Sequence, residues 1–170
     1  LSRPGGRWGA TARKRLVMGV PWGTLVAVAG VACFYLFVQG GLETPRNPLE
    51  IPFRAYSYFY PLGILTSGFA HTSLGHVTGN LLGTLVFGSL AEYAWSHYPT
   101  ERGDVSFRSL GTNPFARVGA FLGAVLAVGL ATSLFTPGAL IGFSGVVFAF
   151  AGFALVTRPL LAVAAIVGQQ

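Results

Sequence analysis

The chain has 170 residues, of which 52% are hydrophobic and only 9% are charged. Soluble globular domains carry about 25% charged residues, so this composition excludes an ordinary soluble domain and indicates a single membrane domain. The basic residues behind the formal net charge of +6 cluster only in the first fifteen positions, as on the cytoplasmic flank of a membrane protein, so we expect the lipid bilayer and no nucleic acid as a partner.

The N-terminal part predicts one membrane span and a long connection. Residues 1–15 are polar and basic, and the apolar run that follows, Leu16 to Val38, is long enough to cross a bilayer. Since no small-residue cleavage site is evident, we interpret this run as a retained transmembrane helix and not as a signal peptide. The next 30 or so residues hold four prolines and an aromatic cluster, which predict either an interfacial belt or an extracytoplasmic loop with aromatic anchors.

Four further apolar runs predict three complete spans and the start of a fifth: about Thr72 to Trp95, Phe115 to Phe135, Ser144 to Thr157, and Leu160 to Val167. Most lysines and arginines then fall on one side of the membrane, so we expect a multi-pass protein with a cytoplasmic N-terminus. Because the pattern is interrupted at Gln170, we interpret the chain as a fragment of a longer protein.

Three polar residues stand at the head of the second predicted span: His71, His76 and Asn80. His76 and Asn80 are four residues apart and therefore share one helix face. Polar groups inside a membrane helix are costly and usually mark function, although a pair of this kind also serves as an interhelical hydrogen bond. A stripe of small residues beside that face would let a neighbouring helix approach closely: Gly75, Gly79 and Gly83.

The segment Gly142-Phe143-Ser144-Gly145 opens the fourth predicted span. A serine at a helix start has its N–H among the unpaired donors of the first turn, and such a nucleophile could help to stabilise an oxyanion with its own N–H. Gly142 would allow a tight entry turn and Gly145 would leave room for a substrate. The alternative is an N-cap serine. Ser144 matches His76 and Asn80 in depth, which predicts one shared cavity.

Together these motifs resemble the rhomboid family of intramembrane serine proteases. The matching pieces are His71-x4-His76-x3-Asn80, Glu92 after the pair Gly88-Ser89, and Gly142-Phe143-Ser144-Gly145. The long connection between the first two spans is similar to the first loop of that family. The resemblance covers about residues 16–167, and its specificity comes from the combination of motifs.

The resemblance implies an all-α, polytopic transmembrane helix bundle. Residues 16–170 would form a rhomboid-like membrane domain, truncated at its C-terminus, after a cytoplasmic basic N-terminus over residues 1–15. We expect four complete spans and the start of a fifth, in the cell membrane of a prokaryote. The implied reaction is hydrolysis of a peptide bond in or near the transmembrane segment of a membrane-spanning protein substrate, without a cofactor or a metal.

The resemblance also assigns roles to single residues. Ser144 would be the nucleophile, and His76 and Asn80 would form the oxyanion hole together with the Ser144 N–H. His71 would help to shape the hydrated cavity. Structural roles are implied for five further residues: Gly142, Gly145, Gly79, Gly83 and Glu92.

The general base of the family is a histidine of the sixth span, and no histidine follows Ser144 here. Either the base lies beyond Gln170, which the interrupted fifth span favours, or the protein is a catalytically inactive relative that binds transmembrane clients. His97 lies about 30 Å from His76 along a helix, so we expect it to be structural or solvated. A transporter is a third hypothesis, but the third and fourth spans offer almost no polar groups for a pathway.

Overall fold

A computed structural model of the chain describes residues 19–95, 113–136, 138 and 140–168. The predicted basic N-terminus and His97 lie outside these residues. Within the described part the protein is all-α: its residues form helices and turns, and the β-type pairing there is one isolated antiparallel bridge between Ala55 and Leu140. The all-α prediction is therefore confirmed.

Helix α1 (Trp22–Cys33) continues as a π-helical turn (Phe34–Val38). It begins directly after Pro21, because proline has no N–H and fits the start of a helix. Residues 19–21 are not helical, so the helix begins later than the predicted first span. The connection that follows carries a 3-10 turn (Ile51–Phe53) and the short helix α2 (Pro61–Thr66).

The second predicted span corresponds to an unbroken helical stretch. Helix α3 (Leu74–Gly83) passes through a π-helical turn (Thr84–Gly88) into α4 (Ser89–Ala94). Ser73 caps the stretch, since its hydroxyl accepts the His76 N–H at 3.2 Å. At about 1.5 Å per residue the stretch is about 30 Å long.

The remaining helices are α5 (Pro114–Phe135), α6 (Ser144–Thr157) and α7 (Pro159–Gly168). Arg158 separates α6 from α7, which begins at Pro159. Within the part of the chain that the structure describes, α5 is the one helix long and apolar enough to cross a membrane. The stretch Trp22–Val38 and helices α6 and α7 are shorter and also apolar.

The core lies where α1, the α3–α4 stretch, α5 and α6 pack together. Phe121 of α5 and Phe150 of α6 stack with ring centroids 5.1 Å apart, and Val31, Tyr35 and Val146 are buried in the same hydrophobic core. The side chains that α1 contributes recur every three or four residues, as expected for a helix that buries one face. This packing fixes the position of α6, the helix that begins at Ser144.

Glu92 connects the beginning of α1 with α4 and is fully buried. Its carboxylate accepts the N–H groups of Gly23 (3.0 Å) and Thr24 (2.9 Å) and the hydroxyl of Thr24 (2.8 Å). The first N–H groups of a helix have no partner within the helix, and a carboxylate at this end also interacts favourably with the helix dipole. Glu92 therefore caps α1 from a neighbouring helix.

Candidate functional site

The chain that enters α6 is held by the long connection between α1 and α3. The N–H of Ala55 donates to the carbonyl of Leu140 at 3.2 Å, and the N–H of Gly142 donates to the carbonyl of Ser67 at 2.8 Å. Ser67 is in turn bound through its hydroxyl to the hydroxyl of Ser133 in α5, at 2.8 Å. These contacts hold the segment that precedes Ser144 against the connection and, through Ser67, against α5.

Ser144 is the first residue of α6 and is partly exposed. The N-cap position belongs to Phe143, whose carbonyl accepts the N–H groups of Val146 and Val147, so Ser144 does not take the N-cap role. No side chain among the described residues caps α6, and the Ser144 hydroxyl has no hydrogen bond to another described residue. As far as the described residues go, its N–H and hydroxyl are therefore open to a bound group.

His71 is completely buried just before α3. Its Nδ1 lies 3.0 Å from the Phe69 carbonyl, which can only accept, so the ring hydrogen is assigned to Nδ1. Its Nε2 then accepts hydrogen bonds, from Asn80 Nδ2 at 2.9 Å and from the Phe143 N–H at 3.4 Å. Burial, followed by the neighbouring His76, lowers the pKa of His71 to about 4. The ring is therefore neutral at pH 7.

The hydrogen bond from Asn80 to His71 also orients the Asn80 side chain, which is 7% exposed. Because Nε2 of His71 accepts, the amino end of the Asn80 amide must face the histidine ring. An amide nitrogen carries two hydrogens, and the second makes no hydrogen bond to another described residue. Asn80 thus keeps one donor for a bound group, with its orientation set by His71.

His76 lies beside both other polar residues of this motif. Its ring centroid is 5.0 Å from that of His71, and its Nδ1 is 3.1 Å from the hydroxyl oxygen of Thr72. The opposite edge of the ring lies against Gly142: a Cβ atom added there would be 2.8 Å from both Cε1 and Nε2 of His76. Gly142 also has φ of 119°, a conformation that favours glycine. The entry to α6 can therefore lie directly on the His76 ring.

Gly83 and Gly145, two further glycines of the sequence motifs, are close-contact positions. A Cβ at Gly83 would be 2.8 Å from Val147 of α6, and one at Gly145 would be 2.7 Å from the hydroxyl of Thr132 in α5. Gly75 and Gly79 differ, because a Cβ at either position would meet no other atom of the described residues within 4 Å. In the predicted stripe, α3 therefore approaches its neighbour closely at Gly83 and not at Gly79.

Gln39 belongs to this site although the sequence analysis did not single it out. It is 1% exposed, and its side-chain oxygen accepts the His71 N–H at 2.8 Å. Its side-chain nitrogen donates to the carbonyls of His71 (3.0 Å) and Leu49 (2.8 Å). The only signal in the sequence is a lone amide at the end of the first apolar run. Gln39 holds the backbone of His71 from both sides.

The structure thus brings the head of α3 against the entry to α6. His71, His76 and Asn80 contact or closely approach Gly142 and Phe143, and Ser144 follows directly. No group of three histidine, cysteine or acidic residues among the described residues could hold a metal ion. The chain matches no protein-family model, and no curated protein or solved structure shows significant similarity to it.

Proposed function

We propose that this protein is a rhomboid-type intramembrane serine protease that hydrolyses peptide bonds in or near the transmembrane segments of membrane-spanning proteins. The observation that carries the proposal is the contact between two distant motifs. His71 accepts the N–H of Phe143, and His76 lies against Gly142, so the two histidines contact the two residues before Ser144. Two motifs that the resemblance treats as one site are therefore neighbours in the fold.

In the proposed reaction the hydroxyl oxygen of Ser144 attacks the carbonyl carbon of the substrate peptide bond. The negative charge that develops on the carbonyl oxygen needs hydrogen-bond donors that are already in place. The Ser144 N–H, the free hydrogen of the Asn80 amide and a ring N–H of His76 are the donors available on this side of α6. Gly142 lets the entry to α6 lie on the His76 ring, whereas the side-chain direction of Gly145, which we expected to leave room for a substrate, is filled by Thr132 of α5.

The proposed reaction also requires a general base, because a serine hydroxyl is a weak nucleophile without one. His71 is committed to Phe69, Asn80 and Phe143, and no histidine follows Ser144 in the 170 residues. The proposal therefore includes a base histidine from the natural polypeptide beyond residue 170. A neutral histidine can take the serine proton and later return it to the leaving amine.

The proposal places the protein in the cell membrane of a prokaryote, as a multi-pass protein with a cytoplasmic N-terminus. Helix α5 is long enough to span the bilayer. The outer surfaces of α6 and α7 support the same arrangement, since Phe148 is 74%, Val156 84% and Leu160 86% exposed. An apolar surface of this kind is unfavourable in water and is suited to lipid or to further apolar helices.

The test is cleavage of a single-span substrate in liposomes by the purified full-length protein. Ser144→Ala should abolish the cut, whereas Ser89→Ala, more than two turns beyond Asn80 in the α3–α4 stretch, should leave it intact. Continued cleavage by Ser144→Ala would contradict the assignment of the nucleophile. Labelling of the wild type by a serine-reactive phosphonate, with loss of the label in Ser144→Ala, would support it independently.

One alternative is a catalytically inactive rhomboid-like protein that binds transmembrane clients, since none of the histidines in the 170 residues is assigned as the base of Ser144. The gene sequence past Gln170, checked by the intact mass of the membrane-extracted protein, separates the two. A histidine within a sixth apolar span supports the protease. A continuation without one, together with failure of phosphonate labelling, supports the binder.

A further inference from the structure

Thr72 lies just before Ser73, the N-cap of α3, and its hydroxyl oxygen is 3.1 Å from Nδ1 of His76. Both side chains are half-buried. Among the described residues, the Thr72 hydroxyl has His76 as its one hydrogen-bond partner, and Nδ1 of His76 has Thr72 as its one partner. The hydroxyl and the ring nitrogen therefore determine each other's hydrogen positions.

Thr72 behaves differently from the threonines inside the helix that follows. The hydroxyl of Thr78 donates to the Leu74 carbonyl and that of Thr84 to the Asn80 carbonyl, each at 2.7 Å, which is the usual bond of a threonine within a helix. Because Thr72 precedes the helix, it has no helical carbonyl four residues before it. Its hydroxyl instead reaches forward to the side chain four residues later.

A neutral imidazole carries one hydrogen, on Nδ1 or on Nε2, and a hydroxyl can donate or accept. When Thr72 donates to Nδ1 of His76, the ring hydrogen must be on Nε2. That nitrogen lies on the ring edge that faces Gly142, beside the entry to α6. In the other arrangement Nδ1 donates to Thr72, and Nε2 presents a lone pair, which would repel an oxyanion.

We propose that Thr72 is a positioning residue that holds His76 in the tautomer with the hydrogen on Nε2, so that this nitrogen donates to the oxyanion of the proposed reaction. The inference rests on the proposed function for its role in catalysis. The Ser73 hydroxyl contacts the backbone N–H of His76, and the Thr72 hydroxyl is the one that reaches the His76 ring. Thr72 also gives His76 the opposite tautomer to His71, whose hydrogen is on Nδ1.

The test is the imidazole ¹⁵N spectrum of His76 in the full-length protein, recorded at a pH where the ring is neutral. His76→Gln identifies the signal by removing it. We expect the Nε2–H form in the wild type and in Thr72→Ser, which keeps the hydroxyl. In Thr72→Val and Thr72→Ala the ratio of Nε2–H to Nδ1–H should fall about fivefold, as expected for loss of one hydrogen bond.

Thr78→Val is the matched control. It removes a threonine hydroxyl of α3 that is bonded to the Leu74 carbonyl and not to His76, so it should leave the ratio unchanged. In the cleavage assay the kcat of Thr72→Val should fall about fivefold with little change in KM, and Thr72→Ser should restore it. An unchanged His76 tautomer in both folded variants without the hydroxyl would overturn the inference. A wild type with the Nε2–H form that cleaves no substrate would contradict the proposed function and still support the tautomer assignment.

Discussion

The rings of His71 and His76 lie with centroids 5.0 Å apart and planes at 73°, and they face different hydrogen-bond partners. His71 donates from Nδ1 to a carbonyl and accepts at Nε2. His76 has a hydroxyl at Nδ1 and a glycine against its other edge. Two like residues five positions apart are therefore suited to different tasks. His71 orients the donors around it, and His76 can donate to a bound group.

The first prediction concerns the protonation of His71. Because burial lowers its pKa to about 4, the ring should stay neutral at pH 5.5, where a solvated histidine is mostly charged. In an NMR titration of the detergent-extracted protein, its ¹⁵N signals should report the Nδ1–H form from pH 8 to about pH 5. A titration midpoint near 6.5 would contradict both the burial and the hydrogen-bond pattern.

The same shift predicts how stability depends on pH. Between about pH 4 and 6.5 the unfolded chain binds a proton at His71 that the folded chain does not bind, so the free energy of unfolding should fall as the pH falls through this range. Below about pH 4 both states are protonated and this contribution becomes constant. The measurement is thermal unfolding of the wild type and of His71→Asn between pH 7.5 and 4. The stability of the variant should depend less on pH, because the contribution of His71 is gone.

The second prediction concerns Gln39. In Gln39→Leu, the N–H and carbonyl of His71 lose their partners in a buried place, and the carbonyl of Leu49 loses a part-buried one. Each unsatisfied buried group costs about 1–3 kcal/mol, so we expect a loss of about 3 kcal/mol or more in the free energy of unfolding. Reversible unfolding in mixed micelles measures this loss.

The control for Gln39 is Thr44→Val. The Thr44 hydroxyl donates to the Gly40 carbonyl on the exposed surface of the same connection, so its removal should change the free energy of unfolding by no more than about 0.5 kcal/mol. Equal stability of Gln39→Leu and the wild type would show that the side chain does not hold His71.

The order of the helices could be predicted from the sequence, because the apolar runs coincide with α1, the α3–α4 stretch, α5, α6 and α7. The prolines in residues 39–70 predicted a long connection, and the structure has only a 3-10 turn and one short helix there. The structure places His76 against Gly142, two residues before Ser144, and the shared cavity that the similar depth of Ser144, His76 and Asn80 indicates stays a prediction. These features depend on local patterns, which a single sequence displays.

The roles of Gln39 and Thr72 could not be predicted, since they depend on the path of the connection and on a side chain that turns forward from a helix start. The sequence also did not show that Gly83 is a close-contact position and Gly79 is not. Both are glycines four residues apart, but only Gly83 faces α6. Which side of a helix is packed depends on its neighbours, and spacing along the chain does not contain that information.

The last prediction concerns Gly142. An alanine there would need φ of 119° and would place its Cβ 2.8 Å from the His76 ring. An unfavourable backbone conformation of this kind costs about 1–3 kcal/mol, and the ring must move away from the entry to α6. We expect Gly142→Ala to lower both the unfolding temperature and the kcat of cleavage, the latter at least about tenfold because a donor is displaced.

Gly79→Ala is the matched control, since a Cβ there meets no other described atom within 4 Å and the residue lies within α3. Alanine is a better helix former than glycine by about 1 kcal/mol, so this variant should be at least as stable as the wild type and should keep its kcat. If Gly142→Ala matched Gly79→Ala in both measurements, the close contact between His76 and the entry to α6 would be wrong. If Gly142→Ala lowered the unfolding temperature but not the kcat, the contact between His76 and Gly142 would be supported. The proposed role of His76 as an oxyanion donor would be contradicted.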